Sequence, residues 1–311
     1  MAGPIVVATS PASARQVAAS AAASVARDNT LTDPSNRLWT FANLAAAVVI
    51  FAVLWWRGWL RPRSISTGGT RHVDSQPAFI WAGGAALVFF SSVLAAGAAA
   101  QLSGVPTGLY FGSPKALAIV QLSSYGCALL SVFFLLRLLK DAAPKAGLTI
   151  TTRSLTLGLF AGVLAWPILT TIGTAALWVQ TAITHTPPDP LGHPLLKVLR
   201  DSPDSVWAWA LGACAVVGAP IVEETLYRGF LQSFVLRVTG LPWVSVLCSS
   251  AVFAMMHYDP DGGIPWAALV EIGVFGLILG YMFERTKRLG VTIAMHILFN
   301  AGNLALAMLA S

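Results

Sequence analysis

Charge is what this chain lacks most. Only 10% of its 311 residues are Asp, Glu, Lys or Arg, against 56% hydrophobic, whereas a water-soluble domain carries about 25% charged residues because its surface must be wetted. So few charges cannot cover a sphere in water, which excludes an ordinary soluble globule and leaves lipid as the main solvent. Cysteine is scarce too. Cys127, Cys214 and Cys248 lie in apolar stretches without CxxC spacing, which excludes a disulfide scaffold or thiolate metal site and reads as small core side chains. No basic run is interleaved with aromatics, so the net charge of +6 does not point to nucleic acid; a Lys and Arg excess is what cytoplasmic loops of membrane proteins carry. The N-terminus lacks a basic n-region, and its apolar run from Ile5 to Ala8 is shorter than the ~7–15 residues of a signal-peptide core. Residues 1–37, rich in Ala and Ser, are expected to form a mobile tail.

What is present is a series of long apolar segments. Crossing ~30 Å of hydrocarbon at 1.5 Å per residue takes about 20 mostly apolar residues. Eight segments qualify as candidates: Leu38–Trp56, Ala78–Leu102, Ala116–Leu136, Leu155–Val179, Val206–Leu236, Trp243–Met256, Trp266–Phe283 and Val291–Leu309. The sixth and seventh are short, and the long fifth contains Pro220, where a kink is expected. The chain therefore reads as all-α, a polytopic membrane helical bundle with about eight transmembrane helices. Residues 38–205 form its N-terminal membrane spans and 206–311 its polar-bearing core. Pairs such as Gly158/Gly162 and Gly276/Gly280 allow helices to approach closely. The composition, rich in Ala, Gly and Trp, suggests a bacterium and hence a multi-pass protein of the bacterial inner (cell) membrane.

Orientation follows from Lys and Arg in the connections. The first holds Arg57, Arg61, Arg63 and Arg71; the third holds Arg137, Lys140, Lys145 and Arg153; the fifth holds Arg237; the seventh holds Arg285, Lys287 and Arg288. The even connections carry Lys115, then Lys197 and Arg200 offset by three aspartates around the Pro187–Pro194 stretch, then none. Odd-numbered connections are thus expected in the cytoplasm and both termini outside, although Arg15, Arg27 and Arg37 pull the other way.

An ionisable side chain at membrane depth costs several kcal/mol unless it is paired or solvated in a cavity, so each is a functional candidate. The fifth span contains Glu223-Glu224-Thr225-Leu226-Tyr227-Arg228. Glu224 and Arg228 share a helix face and can pair, while Glu223, rotated by about 100°, can face a cavity. A buried ion network fixing helix register is the plain alternative, but two carboxylates to one arginine leave a surplus negative charge that such a network does not need. The sixth span ends in Phe253-Ala254-Met255-Met256-His257, and a lone histidine there is more often interfacial. The eighth contains His296 and, on the same face, Asn300; a helix-to-helix hydrogen bond is the plain alternative for that pair. An antiparallel turn between Arg237 and Pro242 would bring Glu223 and His257 level, each about 21–22 Å from the turn. His296, a few residues after Gly290, sits ~10 Å shallower on the same arithmetic, unless the hairpin tip projects beyond the bilayer. Glu271, inside the seventh span, remains an extra carboxylate.

Glu223-Glu224-xxx-Arg228, Phe253-xxx-His257 and His296-xxx-Asn300, in this order on three apolar spans, resemble the motifs of the CAAX-processing type II endopeptidase and bacteriocin-processing family (CPBP, or ABI). The likeness covers about residues 206–309, with every motif position filled. It implies an eight-helix fold around a cavity and an intramembrane endopeptidase that hydrolyses a peptide bond near the C-terminus of a protein or peptide substrate. Glu223 would activate water with help from His257, His296 and Asn300 would stabilise the oxyanion, and Glu224 and Arg228 would support the site. This agrees with what a general base and preplaced donors require.

The family is commonly labelled metalloprotease, and one Glu with two His could supply a zinc set. There is no HExxH, however, in which two ligands share a helix face with the base between them, and a glutamate-activated water without metal is equally consistent. The cofactor, one divalent metal such as zinc or none, stays open. Expected partners are a peptide or protein substrate and the lipid bilayer. The rival readings are a non-catalytic membrane scaffold or bacteriocin-immunity-type protein of the same fold, favoured by loss of a motif residue, and a proton-coupled transporter, favoured by an inverted repeat. Neither feature occurs in the sequence.

Overall fold

A computed structural model of the chain describes residues 34–66, 69–104, 113–185, 198–199, 201–258 and 264–309. Most of the expected N-terminal tail, the Pro187–Pro194 stretch, Lys197 and Arg200 lie outside the described residues. Among those described there are helices and no strand: α1 Pro34–Trp56, α2 Ala78–Ser103, α3 Pro114–Leu138, α4 Thr152–Thr184, α5 Val206–Thr239, α6 Pro242–Met255, α7 Trp266–Thr286 and α8 Leu289–Leu309. Seven are long and apolar enough to cross a membrane. The exception is α6, which is apolar but has only 14 residues, about 21 Å of helix. The seventh segment, read as short, is a full 21-residue helix because Glu284 and Arg285 continue it to Thr286.

The helix ends follow ordinary capping chemistry. Thr151 and Ser154 form a capping box at the start of α4, and Pro114 occupies the first turn of α3 behind the Ser113 cap. The turn between α7 and α8 is tight, and the first backbone donors of α8 are satisfied by the third connection: Leu289 N–H donates to the Gly147 carbonyl at 2.9 Å and Gly290 N–H to Thr149 at 3.0 Å. Gly147, at φ +90°, brings its bare Cα so near the Lys287 carbonyl that a Cβ would lie 3.0 Å from that oxygen. Glycine is the residue that fits both the dihedral and the space.

Close helix contacts occur where the small residues predict. A Cβ at Gly158 would fall on the Val291 carbonyl of α8, and one at Gly162 on Leu298. Gly276 and Gly280 of α7 expose carbonyls to α5: Arg228 Nη2 donates to the Gly276 carbonyl and Gln232 Nε2 to that of Gly280, each at 3.1 Å. The same spacing on two helices makes a two-rung ladder. Helix α4 packs on α1, α7 and α8, and α2 pairs with α3.

The odd-numbered connections meet at one end of the bundle. Arg285 Nη1 donates to the Ser64 carbonyl at 2.7 Å, Trp243 Nε1 to that of Pro62 at 2.7 Å, and Arg237 Nε to that of Gln76 at 3.1 Å. Arg71, counted among the loop charges in the orientation argument, is in fact buried. Its Nε donates to Glu284 Oε1 at 3.0 Å, and its Nη1 to the Ala146 carbonyl at 3.0 Å and Ser233 Oγ at 2.7 Å. The guanidinium lies 4.2 Å from the Phe283 ring centre, and Gln232 Nε2 also donates to Glu284 Oε1, at 2.8 Å. A charge assigned to solvent is thus the tie that binds the first connection to α5 and α7.

Candidate active site

Helix α5 is continuous but irregular: two π-helical segments, Cys214–Gly218 and Glu224–Leu231, enclose the α-helical turn Ala219–Glu223. The irregularity expected at Pro220 is therefore present as wide turns. In the first of them the Ala219 N–H donates to the Cys214 carbonyl, five residues back. The next donor in that pattern is residue 220, and proline has no N–H. The Ala215 carbonyl is left for another donor, and Asn300 of α8 supplies it, Nδ2 to O at 2.7 Å. Pro220 thus explains why Asn300 docks on α5. Segments of this kind concentrate at functional sites.

A cavity of about 210 Å³ adjoins these wide turns. Glu223 of α5, His257 at the end of α6, and His296 and Asn300 of α8 all line it, together with the aromatic rings of Phe253, Phe275 and Phe299. Glu224 and Arg228 stand behind, fully buried. The expected pair is present, with Arg228 Nη1 at 3.4 Å from Glu224 Oε1 and the guanidinium 4.4 Å from the Phe253 ring centre. His296 Nδ1 lies 2.9 Å from that same Glu224 oxygen. A carboxylate only accepts hydrogen bonds, so His296 donates through Nδ1, and its Nε2 is turned toward Glu223, 4.0 Å from Oε2. Glu223 Oε2 has no hydrogen-bond partner among the described residues. One carboxylate is engaged by Arg228 and His296; the other meets His296 Nε2 only at the longer 4.0 Å, with Oε2 free of hydrogen bonds among the described residues.

His257 also has a defined ring orientation. Its Nδ1 is 2.8 Å from the Phe253 carbonyl, an acceptor, so Nδ1 carries the proton and Nε2 of the neutral ring presents a lone pair. The expected ~10 Å difference in depth between His296 and Glu223 is absent. Gln232 of α5 already reaches Glu284 near the end of α7, so the last turns of α5, to Thr239, extend past that level. The hairpin tip projects, and the two residues become level.

Glu271 is placed elsewhere. Its carboxylate packs on Gly173 of α4, where a Cβ would lie 2.5 Å from Oε2, and it is not among the cavity-lining residues, although its neighbour Ile272 is. Three polar lining residues escaped the sequence reading: Gln121 and Tyr125 of α3, and Asn303 one turn beyond Asn300. Asn303 extends the polar face of α8 by a further i+3 step and was findable on that ground. The two α3 residues are an i,i+4 polar pair in an apolar span, the spacing that raised His296 and Asn300, but neither is ionisable at neutral pH and neither belongs to the family motifs.

The donor set does not fit a metal centre. Among the described residues no three His, Cys, Asp or Glu converge as a ligand group. The zinc set considered from the sequence, and the metalloprotease label with it, finds no support in this arrangement.

Comparison with known proteins bears on the same region. Residues 205–302 match the family described as type II CAAX prenyl endopeptidase Rce1-like. The uncharacterized protein YyaK of Bacillus subtilis (strain 168) is 27% identical over 110 residues, which take in 33% of this chain and 36% of that protein. The chain thus matches about a third of the length of this curated relative. No solved structure matches it. At the family level, the C-terminal third of this integral multi-pass membrane chain carries the signature of the type II CAAX prenyl endopeptidases, a family of membrane proteases and the one its three motifs resemble.

Proposed function

We propose that the protein is an intramembrane endopeptidase that hydrolyses a peptide bond near the C-terminus of a protein or peptide substrate, using a water activated by Glu223. The observation that carries this reading is the convergence of Glu223, His257, His296 and Asn300, from three helices, on one cavity, with Glu223 Oε2 uncommitted.

Glu223 takes a proton from water as the oxygen adds to the scissile carbonyl carbon, and His257 Nε2 accepts a hydrogen bond from the same water and orients it. The carbonyl π electrons move to oxygen, and the resulting oxyanion receives hydrogen bonds from the α8 face, from His296 Nε2 when that nitrogen carries a proton and from the second N–H of Asn300. Collapse re-forms the carbonyl and breaks the C–N bond, and Glu223 returns its proton to the departing amine. Glu224 and Arg228 act through His296: the carboxylate holds its Nδ1, and Arg228 balances the carboxylate. No step uses a metal.

The arrangement sits in the region with the family match, and the aromatic walls suit an apolar substrate segment. The test compares membranes carrying the wild type or Glu223→Ala by mass spectrometry of membrane-protein C-termini. Uncleaved C-termini accumulating only in the variant support the peptidase; identical C-termini with retained binding of a membrane partner point instead to a scaffold.

A further inference from the structure

Tyr125 and Gln121 lie one turn apart on α3 and line the cavity, yet α3 lies outside the family match and its motifs. An apolar span does not need them for packing, since leucine or phenylalanine would fill the same wall without burying polar atoms. Their geometry is specific. Gln121 Nε2 donates to Tyr125 Oη at 3.0 Å, which occupies a lone pair on the phenol oxygen and leaves its own proton to be given. The Tyr125 ring rests on Gly218, in the first π segment and five residues before Glu223; a Cβ there would lie 3.2 Å from Cδ2. Tyr125 is thereby docked on the helix that carries Glu223.

The α8 donors, meanwhile, are partly engaged. Asn300 gives one N–H to the Ala215 carbonyl, and His296 gives Nδ1–H to Glu224 and turns Nε2 toward Glu223. A developing oxyanion needs donors fixed in advance. Resting on the hydrolytic reading above, we propose that the Tyr125 hydroxyl is a further catalytic donor, hydrogen-bonding the scissile carbonyl oxygen as it becomes an oxyanion, and that Gln121 is its positioning residue. No proton is transferred; the O–H···O bond shortens as charge builds on the oxygen.

The experiment uses the purified full chain in detergent and an internally quenched peptide ending in a farnesylated Cys-aliphatic-aliphatic-X sequence, with kcat and KM separated. Removing one preorganised oxyanion donor costs about 10²–10³ in kcat, so Tyr125→Phe, which keeps the ring on Gly218, is expected to lower kcat about a hundredfold with KM within a few-fold. Gln121→Leu lowers kcat less, again without moving KM. If the wild type cleaves, Glu223→Gln does not, and Tyr125→Phe keeps the wild-type kcat or changes KM alone, the donor role is overturned while the hydrolytic reading stands. If the wild type cleaves no such peptide and membrane-protein C-termini are also identical in wild type and Glu223→Ala, the hydrolytic reading fails first and the Tyr125 role with it. Should Tyr125→Phe melt early, Gln121→Leu decides: a lowered kcat supports the role, an unchanged one overturns it.

Discussion

The tie between Arg71 and Glu284 is outside the catalytic machinery and sets a measurable quantity. Both side chains are almost fully excluded from solvent, at 0% and 1% exposure, and among the described residues only Gln232 otherwise donates to the carboxylate oxygen that Arg71 holds. Glu284 Oε2 has no hydrogen-bond partner among the described residues. Replacing Arg71 with Met keeps most of the side-chain volume over Phe283 and leaves an uncompensated buried carboxylate. Breaking a buried pair from one side costs about 3–5 kcal/mol, whereas replacing both members by apolar residues is often near neutral. Arg71→Met is therefore expected to shift the unfolding equilibrium by at least two factors of ten, at about 1.4 kcal/mol per factor. Arg71→Met/Glu284→Leu should regain most of the loss, short of the bonds Arg71 makes to Ala146 and Ser233. Unfolding by SDS titration in mixed micelles, followed by the fluorescence of the chain's 11 tryptophans, measures all members of the cycle. With most of a ~3–5 kcal/mol loss regained in the double variant, the coupling is expected at the upper end for residues in direct contact, about 3 kcal/mol or more. Additive losses, or a single-variant cost under about 1 kcal/mol, would mean that the pair is solvated and that the first connection is not anchored through it.

Pro220→Ala restores an N–H that competes for the Ala215 carbonyl, so Asn300 should lose its anchor; kcat falls by about tenfold while the melting temperature holds or rises, read by peptide cleavage and a thermal melt. Gly158→Val drives a side chain into the Val291 carbonyl and should separate α4 from α8, at a cost of about 1–3 kcal/mol or more, measured as lost monodisperse yield and SDS resistance. Prolonged dialysis against a chelator, checked by elemental analysis, should leave activity within about twofold, because no three ligand-type residues converge among those described and zinc catalysis uses three protein ligands.

Much of this arrangement was legible before any coordinates. Scarce charge and 20-residue apolar runs are strong signals because hydrocarbon leaves a chain few solutions, and the segments from Ala78 and Val206 begin at the expected residues. The Glu224–Arg228 pair followed from i,i+4 spacing alone. What escaped has a common cause: it depends on contacts between distant segments. Arg71 reads as a loop charge because nothing local reveals that Glu284, 213 residues away, is its partner. Tyr125 and Gln121 form an i,i+4 polar pair, but only the packing of α3 against α5 places that pair on the cavity. Pro220 predicted a disturbance, but its consequence, a carbonyl offered to Asn300, needs α8 to be in place. The depth arithmetic for His296 left two outcomes open, a ~10 Å offset or a projecting hairpin tip, and choosing between them needed α5 and α7 side by side.

The most direct measurement is the cleavage rate of a purified, quenched C-terminal peptide by Glu223→Gln beside the wild type and Glu271→Gln, each reconstituted in liposomes. Loss of a positioned general base costs about 10²–10⁴-fold. Glu223→Gln should fall by that factor, while Glu271→Gln, whose carboxylate packs on Gly173 rather than lining the cavity, stays near the wild-type rate. Equal rates for Glu223→Gln and the wild type would contradict the assignment of Glu223 as the residue that activates water.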